Sequence, residues 1–178
     1  MSYEDNIDEE LLIMEEQDSE GTVLSAATFK QLISELPVIK PKCVPESSTL
    51  GEVVKIMQDN HFGSVLVTND TGQVSGIITE RDILMKVIGK MPDYELRPVT
   101  DAMTHGPICL YEEDMICFVL NNMHVGGYRH VPVIDKSGKP ISIISIKDVV
   151  SFILDYFPNE ITNILSEPFR GTPQRESA

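Results

Sequence analysis

The chain has 178 residues, of which 42% are hydrophobic and 24% charged, and its formal net charge at pH 7 is −14. This composition is typical of one ordinary globular domain or two small ones. No apolar run approaches the ~20 residues that a membrane span requires, and the negative charge argues against binding a nucleic acid polymer. Three cysteines without a CxxC pair indicate a reducing, cytoplasmic environment.

The N-terminal segment, residues 1–24, is acidic. Its first 20 residues contain nine Asp or Glu and no Lys or Arg, so the rest of the chain has 19 acids against 14 bases. We expect a disordered, solubilising segment, with a docking arm around the apolar "LLIM" of residues 11–14 as the alternative. Residues 21–32 predict a leading helix for a first folded unit over residues 25–90.

Residues 33–84 and 99–150 share one pattern at an ungapped offset of 66. Residues of the same type recur at this offset: Pro41 and Pro107, Cys43 and Cys109, Met57 and Met123, Gly72 and Gly138, Asp82 and Asp148. A register of this length indicates a duplicated fold. Because a unit of about 50 residues buries too little apolar area to be stable alone, we expect the two copies to pack together.

Each copy predicts the same element order. In the first, "TLGEVVKIMQDN" has apolar residues at helical spacing, with Thr49 and Glu52 as a capping box or Ser48 as the alternative cap. Two strands follow, "SVLVT" and a second that ends at Thr79, and then a second helix. The prediction is an α/β (α+β) protein with two strand–helix–strand–strand–helix repeats. Residues 91–98 form the linker, residues 99–157 the second repeat and residues 158–178 a C-terminal tail.

Two equivalent motifs, "GIITERD" at residues 76–82 and "SIISIKD" at 142–148, end an apolar strand in a hydroxyl residue and an aspartate. One interpretation is that Thr79 or Asp82 caps the following helix. The other is a ligand site, because an aspartate accepts hydrogen bonds from ribose hydroxyls and an arginine such as Arg81 suits phosphate. The residues alone leave both interpretations open.

A basic pair occurs in one repeat only. Arg129 and His130 precede the strand of "GGYRHVPV", whereas the positions 66 residues earlier hold Gly63 and Ser64. They are either surface residues at the start of a strand or a phosphate-binding pair, since local positive charge is needed to hold an anion on an acidic protein.

With these motifs, residues 33–155 resemble a tandem pair of CBS domains, the cystathionine-β-synthase type module. The resemblance is carried by "GIITERD", "SIISIKD", and "RHVPVID" followed by "KSG", in the repeated element order. It implies two repeats related by a pseudo-two-fold axis, with two clefts between them. Many such pairs bind AMP, ADP or ATP there and dimerise into a flat disk.

The resemblance also implies which residues form each cleft. The first cleft would contain Thr79 and Asp82, with Arg129, His130 and Lys147 reaching it from the other repeat. The second would contain Ser145 and Asp148, with Gly63, Ser64 and Arg81. Because the second cleft lacks the basic pair, we expect the first to be the better nucleotide site.

The adenine-lining residues are likewise implied by the resemblance. For the first cleft they are Val38, Ile39, Pro41, Phe62 and the backbone of Lys42. For the second they are Thr104, His105, Pro107, Tyr128 and the backbone of Ile108. Ordinary core packing stays open as the alternative for Phe62 and Tyr128.

The expected function is a cytoplasmic regulatory sensor with an adenine nucleotide as ligand and no metal or other cofactor. It would signal to a protein partner or through the geometry of a homodimer, without a nucleic acid or membrane partner. The alternative is a structural dimerisation module that binds no nucleotide. An enzyme is disfavoured because the sequence shows no nucleophile–base pair and no Walker-type loop.

Overall fold

A computed structural model of the chain describes residues 28–36 and 39–156. The larger of its two compact units covers residues 26–150 and holds both repeats. The smaller unit is described over residues 151–156, where the rings of Phe152 and Tyr156 meet edge to face with centroids 5.3 Å apart. The predicted acidic segment, the C-terminal tail and most of the leading helix lie outside the described residues.

The first repeat has the predicted element order. Its elements are β1 (Cys43–Pro45), α1 (Leu50–Asn60), β2 (Ser64–Thr68), β3 (Val74–Thr79) and α2 (Glu80–Asp82), which continues as a π-helical turn (Ile83–Val87). Helix α1 begins with the predicted capping box: Thr49 Oγ1 accepts from the Glu52 amide at 3.2 Å, and the Glu52 carboxylate accepts from the Thr49 amide at 2.9 Å. Ser48 is therefore not the cap.

The second repeat follows the same plan with two departures. Its elements are β4 (Thr104–His105), α3 (Ile116–Gly126), β5 (His130–Ile134), β6 (Pro140–Ser145) and α4 (Ile146–Leu154). The equivalent of β1 is reduced to a single bridge between Leu110 and Val133. Met115 stands at the start of α3 without a side-chain cap. The predicted α/β class is confirmed.

Two sheets carry the core. In the first, β1 pairs parallel with β2, β2 antiparallel with β3, and β3 antiparallel with β4; the second contains β5 and β6. Val65, Leu66 and Val67 in β2 have no exposed surface, as an apolar strand buried on both faces requires. Val99 and Met103, which belong to the start of the second repeat in sequence, are also buried in the first repeat's core.

The leading segment of each repeat, residues 39–42 in the first and 99–108 in the second, packs against the other repeat. Strand β4 pairs with β3 of the first repeat, with Thr104 opposite Ile77. At the equivalent place in the second repeat, the Ile143 amide donates to the Ile39 carbonyl at 3.3 Å. Each repeat is thus completed by the chain that leads into the other.

The same exchange fixes the start of each long helix. The Leu50 amide donates to the Arg97 carbonyl at 2.8 Å, and a short turn at Val99–Asp101 packs beside it. Correspondingly, the Ile33 amide donates to the Asp114 carbonyl at 2.8 Å. Residues 91–98, which connect the two repeats, therefore also contact the start of α1.

The longest helices in residues 28–36 and 39–156 have 11 residues. None of the helices there has both the length and the apolar character needed to cross a membrane.

Candidate functional site

The first cleft lies where β3 ends and α2 begins, and its volume is about 410 Å³. Residues 79–82 form one wall. Thr104, Pro107 and Ile108, which follow from β4, form another, and residues 126–130 close it from the second repeat. The cleft therefore depends on the exchange of the leading segments.

Thr79 and Asp82 form a reciprocal helix cap in this cleft. Thr79 Oγ1 accepts from the Asp82 amide at 3.2 Å, while Asp82 Oδ2 accepts from the Thr79 amide at 3.0 Å and from the Thr79 hydroxyl at 2.7 Å. Lys86 Nζ lies 2.7 Å from Asp82 Oδ1. The capping interpretation is thus observed, and both oxygens of this carboxylate already have partners.

The remaining polar groups of the first cleft come from both repeats. Arg81 Nη1 donates to the Gly127 carbonyl at 2.8 Å, which holds this guanidinium across the cleft. The ring of Tyr128 packs against Gly126, where an added Cβ would overlap the ring. The Tyr128 hydroxyl is buried and has no hydrogen-bond partner among the described residues, and burial raises the pKa of that group.

The second cleft has a volume of about 440 Å³ and lies at the equivalent end of β6. Ile39, Lys40 and Lys42 form one wall, and residues 61–64 form the next. Residues 145–148 also line this cleft, at the positions equivalent to residues 79–82 of the first cleft.

Ser145 and Asp148 repeat the reciprocal cap. Asp148 Oδ2 accepts from the Ser145 amide and from the Ser145 hydroxyl, both at 2.7 Å, and the Asp148 amide donates to Ser145 Oγ at 3.3 Å. Within the part of the chain that the structure describes, Asp148 forms no ion pair. Among those residues its second carboxylate oxygen therefore has no partner, whereas both oxygens of Asp82 are engaged.

Four residues line both clefts: Gly63, Glu80, Arg129 and His130. The imidazole of His130 lies so close to Gly63 that an added Cβ would be 3.3 Å from Nε2. Burial and the neighbouring Arg129 lower the pKa of His130, and the carboxylates of Glu80 and Asp148 partly oppose this shift. The two clefts consequently share one wall and its charges.

The predicted adenine-lining segments are assigned to the wrong clefts. The structure places Ile39, Lys42 and Phe62 in the second cleft rather than the first. It places Thr104, Pro107, Ile108 and Tyr128 in the first cleft rather than the second. The reason is that each leading segment pairs with the strand of the other repeat, β3 or β6, that ends in the hydroxyl–aspartate motif. The prediction places each leading segment beside the corresponding strand of its own repeat.

Further predicted residues need correction. Lys147 lines the second cleft rather than the first, and Arg81 lines the first rather than the second. Pro41 and His105 line neither cleft, and His105 Nε2 lies 3.0 Å from the Thr100 carbonyl oxygen. Val38 lies outside the described residues.

Thr79, Asp82, Arg129 and His130 lie together in the first cleft, and Ser145, Asp148, Gly63 and Ser64 lie together in the second, as predicted. The expectation that the second cleft lacks the basic pair is wrong, because Arg129 and His130 line it too. Sequence reasoning missed Lys40 and Glu80, although both stand next to predicted residues. Among the described residues, no three His, Cys, Asp or Glu side chains are grouped closely enough to hold a metal ion.

The family model for the CBS domain matches residues 33–89 and 99–155, so the chain belongs to the CBS domain family. An uncharacterized 17.7 kDa protein of Acidianus ambivalens is 32% identical over 123 residues, which are 69% of this chain and 73% of that protein. A CBS domain-containing protein of Arabidopsis thaliana, CBSCBSPB5, is 32% identical over 117 residues. The match covers 66% of this chain but only 21% of the Arabidopsis protein.

A solved structure supports the same fold. A CBS domain protein from Pyrobaculum aerophilum, crystallised in complex with AMP, superposes with a TM-score of 0.63 at 25% sequence identity. The similarity covers 72% of this chain and 99% of that one.

Proposed function

We propose that this chain is a regulatory module that binds an adenine nucleotide in a cleft between its two CBS repeats. The observation that carries the proposal is the composition of the first cleft. There a hydroxyl–carboxylate pair, Thr79 and Asp82, stands beside Arg129 and an apolar wall containing Ile108. The AMP complex of the Pyrobaculum aerophilum relative supports this ligand class.

The groups of the first cleft suit the parts of a nucleotide. A carboxylate offers about four acceptor positions, and Thr79 and Lys86 occupy three of those on Asp82. One position is left for a ribose hydroxyl. Arg129 would bind phosphate, since its guanidinium matches phosphate oxygens in a bidentate manner. The base would lie against Ile108 and Tyr128.

The same proposal includes signalling without catalysis, in the cytoplasm. A ligand shifts a conformational equilibrium only if it prefers one of the two arrangements, and a cleft built from both repeats provides such a preference. The readout would be a protein partner or a homodimer. Leu84, Met85 and Ile88 support an assembly surface because 67%, 57% and 51% of these apolar side chains are exposed.

Calorimetry and thermal shift with AMP, ADP and ATP test the proposal on the intact chain. We expect saturable binding of at least one nucleotide, and Asp82→Ala should weaken binding in the first cleft by roughly ten-fold or more, as loss of a charged hydrogen bond does. Asp59→Ala is the matched control, because Asp59 is exposed on α1 and lines neither cleft.

Because Asp82 also caps α2, the melting temperature of the variant without ligand must be recorded separately. No binding of any adenine nucleotide at millimolar concentration would rule the proposal out. Unchanged binding in Asp82→Ala would rule out the first cleft.

The second candidate is a structural dimerisation module without a nucleotide. It is favoured by the observation that Asp82 and Asp148 are both engaged in helix caps. It predicts a dimer in light scattering whose mass and melting temperature do not change when nucleotides are added.

A further inference from the structure

The second cleft contains an unneutralised group of cations. Lys40, Lys42, Lys147 and Arg129 line it, against the two carboxylates of Glu80 and Asp148. Over residues 28–36 and 39–156, the side chains of these four cations make no hydrogen bond and no ion pair. The chain as a whole has a net charge of −14, so this concentration of positive charge is a local exception.

The first cleft differs at the equivalent positions. Lys40 and Lys42 correspond at the 66-residue offset to Gly106 and Ile108, which are uncharged. The first cleft has two arginines, and Arg81 is already bound to the Gly127 carbonyl. Among the described residues, lysines therefore line the second of the two duplicated sites and not the first.

We propose that the second cleft selects adenine nucleotides with two or three linked phosphates, and that Lys40, Lys42 and Lys147 determine this specificity. The first cleft then takes nucleotides with a single phosphate. This inference rests on the proposed function, since it divides the adenine nucleotides between the two clefts. It also reverses the expectation that the second cleft is the poorer site.

The physical reason is electrostatic. Cations held near one another repel, and a polyphosphate relieves that repulsion more than a monophosphate because it brings more negative charge. Lys40 and Lys42 stand on either side of Pro41 and both line this cleft. Lys147, just after the end of β6, lines it too, so a phosphate chain bound in the cleft would meet all three lysines.

Calorimetry on the full chain in the presence of EDTA tests the proposal with AMP, ATP and inorganic tripolyphosphate as probes. We expect Lys42→Gln combined with Lys147→Gln to weaken ATP binding by roughly ten- to hundred-fold, as loss of charged hydrogen bonds does. AMP binding should change by less than about three-fold, since charges outside a ligand's own site are screened by salt. Lys55→Gln combined with Lys139→Gln is the control, because these exposed lysines line neither cleft and carry the same charge.

The outcomes separate this inference from the function it rests on. Equal losses of AMP and ATP affinity, or an unchanged ATP affinity, would overturn the inference while AMP binding upholds the proposed function. No binding of either nucleotide to the unmodified chain would overturn both. Tripolyphosphate binding as tightly as ATP would show a phosphate site that does not require the nucleoside and would overturn the assignment to a nucleotide.

Discussion

Asp82 and Asp148 occupy equivalent positions in the two repeats, yet their carboxylates have different neighbours. Lys86 lies 2.7 Å from Asp82, whereas the position equivalent to Lys86 holds Phe152. Both aspartates make the same cap to the preceding hydroxyl residue. Among the described residues, the second oxygen of Asp148 therefore has no partner, whereas that of Asp82 is paired with Lys86.

At the same scale, His130 should make stability depend on pH. Burial is the main cause that lowers the pKa of His130 from the usual value of 6.5, and the positive charge of Arg129 lowers it further. The carboxylates of Glu80 and Asp148 partly oppose this shift. The unfolded chain therefore binds a proton at His130 more readily than the folded chain does. As a result, the free energy of unfolding falls as the pH drops below 6.5 and through the lower pKa of the folded state. His130→Gln should reduce this loss, measured as the unfolding midpoint between about pH 7 and pH 5.

His124→Gln is the control for this prediction, because His124 is exposed on α3 and lines neither cleft. A pH dependence in His130→Gln identical to that of the unmodified chain would contradict the assignment to His130.

At the scale of elements, strands β3 and β6 carry equivalent motifs but pack differently. Gly76 in β3 lies against the side chain of Met103, and an added Cβ would overlap its sulfur atom. The equivalent residue in β6, Ser142, is also buried but already carries a Cβ. The glycine of "GIITERD" is thus required by the close approach of the segment that leads into β4.

We expect Gly76→Ala to lower the free energy of unfolding by about 1–3 kcal/mol, because Met103 is buried and must move to make room. Ser142→Ala places the same side chain at the equivalent position and should cost less than about 1 kcal/mol. Chemical denaturation of the two variants measures the difference. Equal effects in both variants would show that the Met103 contact does not constrain β3.

At the scale of the whole molecule, the exchange of leading segments makes the two repeats interdependent. Strand β4 completes the first sheet, and Ile39 pairs with the second. Each cleft is consequently lined by both repeats. Under the proposed function, a ligand in either cleft would contact both repeats and could thereby act on their packing.

The proposed homodimer can be tested at this scale. Leu84→Glu combined with Ile88→Glu places charge on the exposed apolar surface formed by Leu84, Met85 and Ile88. We expect this double variant to be a monomer in light scattering if the unmodified chain is a dimer. Leu96→Glu is the matched control, since Leu96 is 82% exposed but lies in a separate turn. A dimeric double variant would exclude this surface, and a monomeric unmodified chain would exclude the dimer itself.

Much of the fold could be predicted from local patterns. The capping box at Thr49, the strand ends at Thr79 and Ser145, and the turn glycines Gly72 and Gly138 depend on residues close in sequence. The missing cap at Met115 is equally visible in the sequence, because the methionine side chain has no oxygen atom that could accept a hydrogen bond from the helix amides.

By itself, then, the sequence determined the duplication, the element order and the hydroxyl–aspartate motifs, because these depend on periodicity and short-range hydrogen bonds. Only the tertiary structure decided which leading segment faces which motif. That pairing joins strands distant in the chain, such as His105 with Gly76, and no local pattern encodes it. Consequently only the folded chain shows that Lys40, Lys42 and Lys147 lie in one cleft.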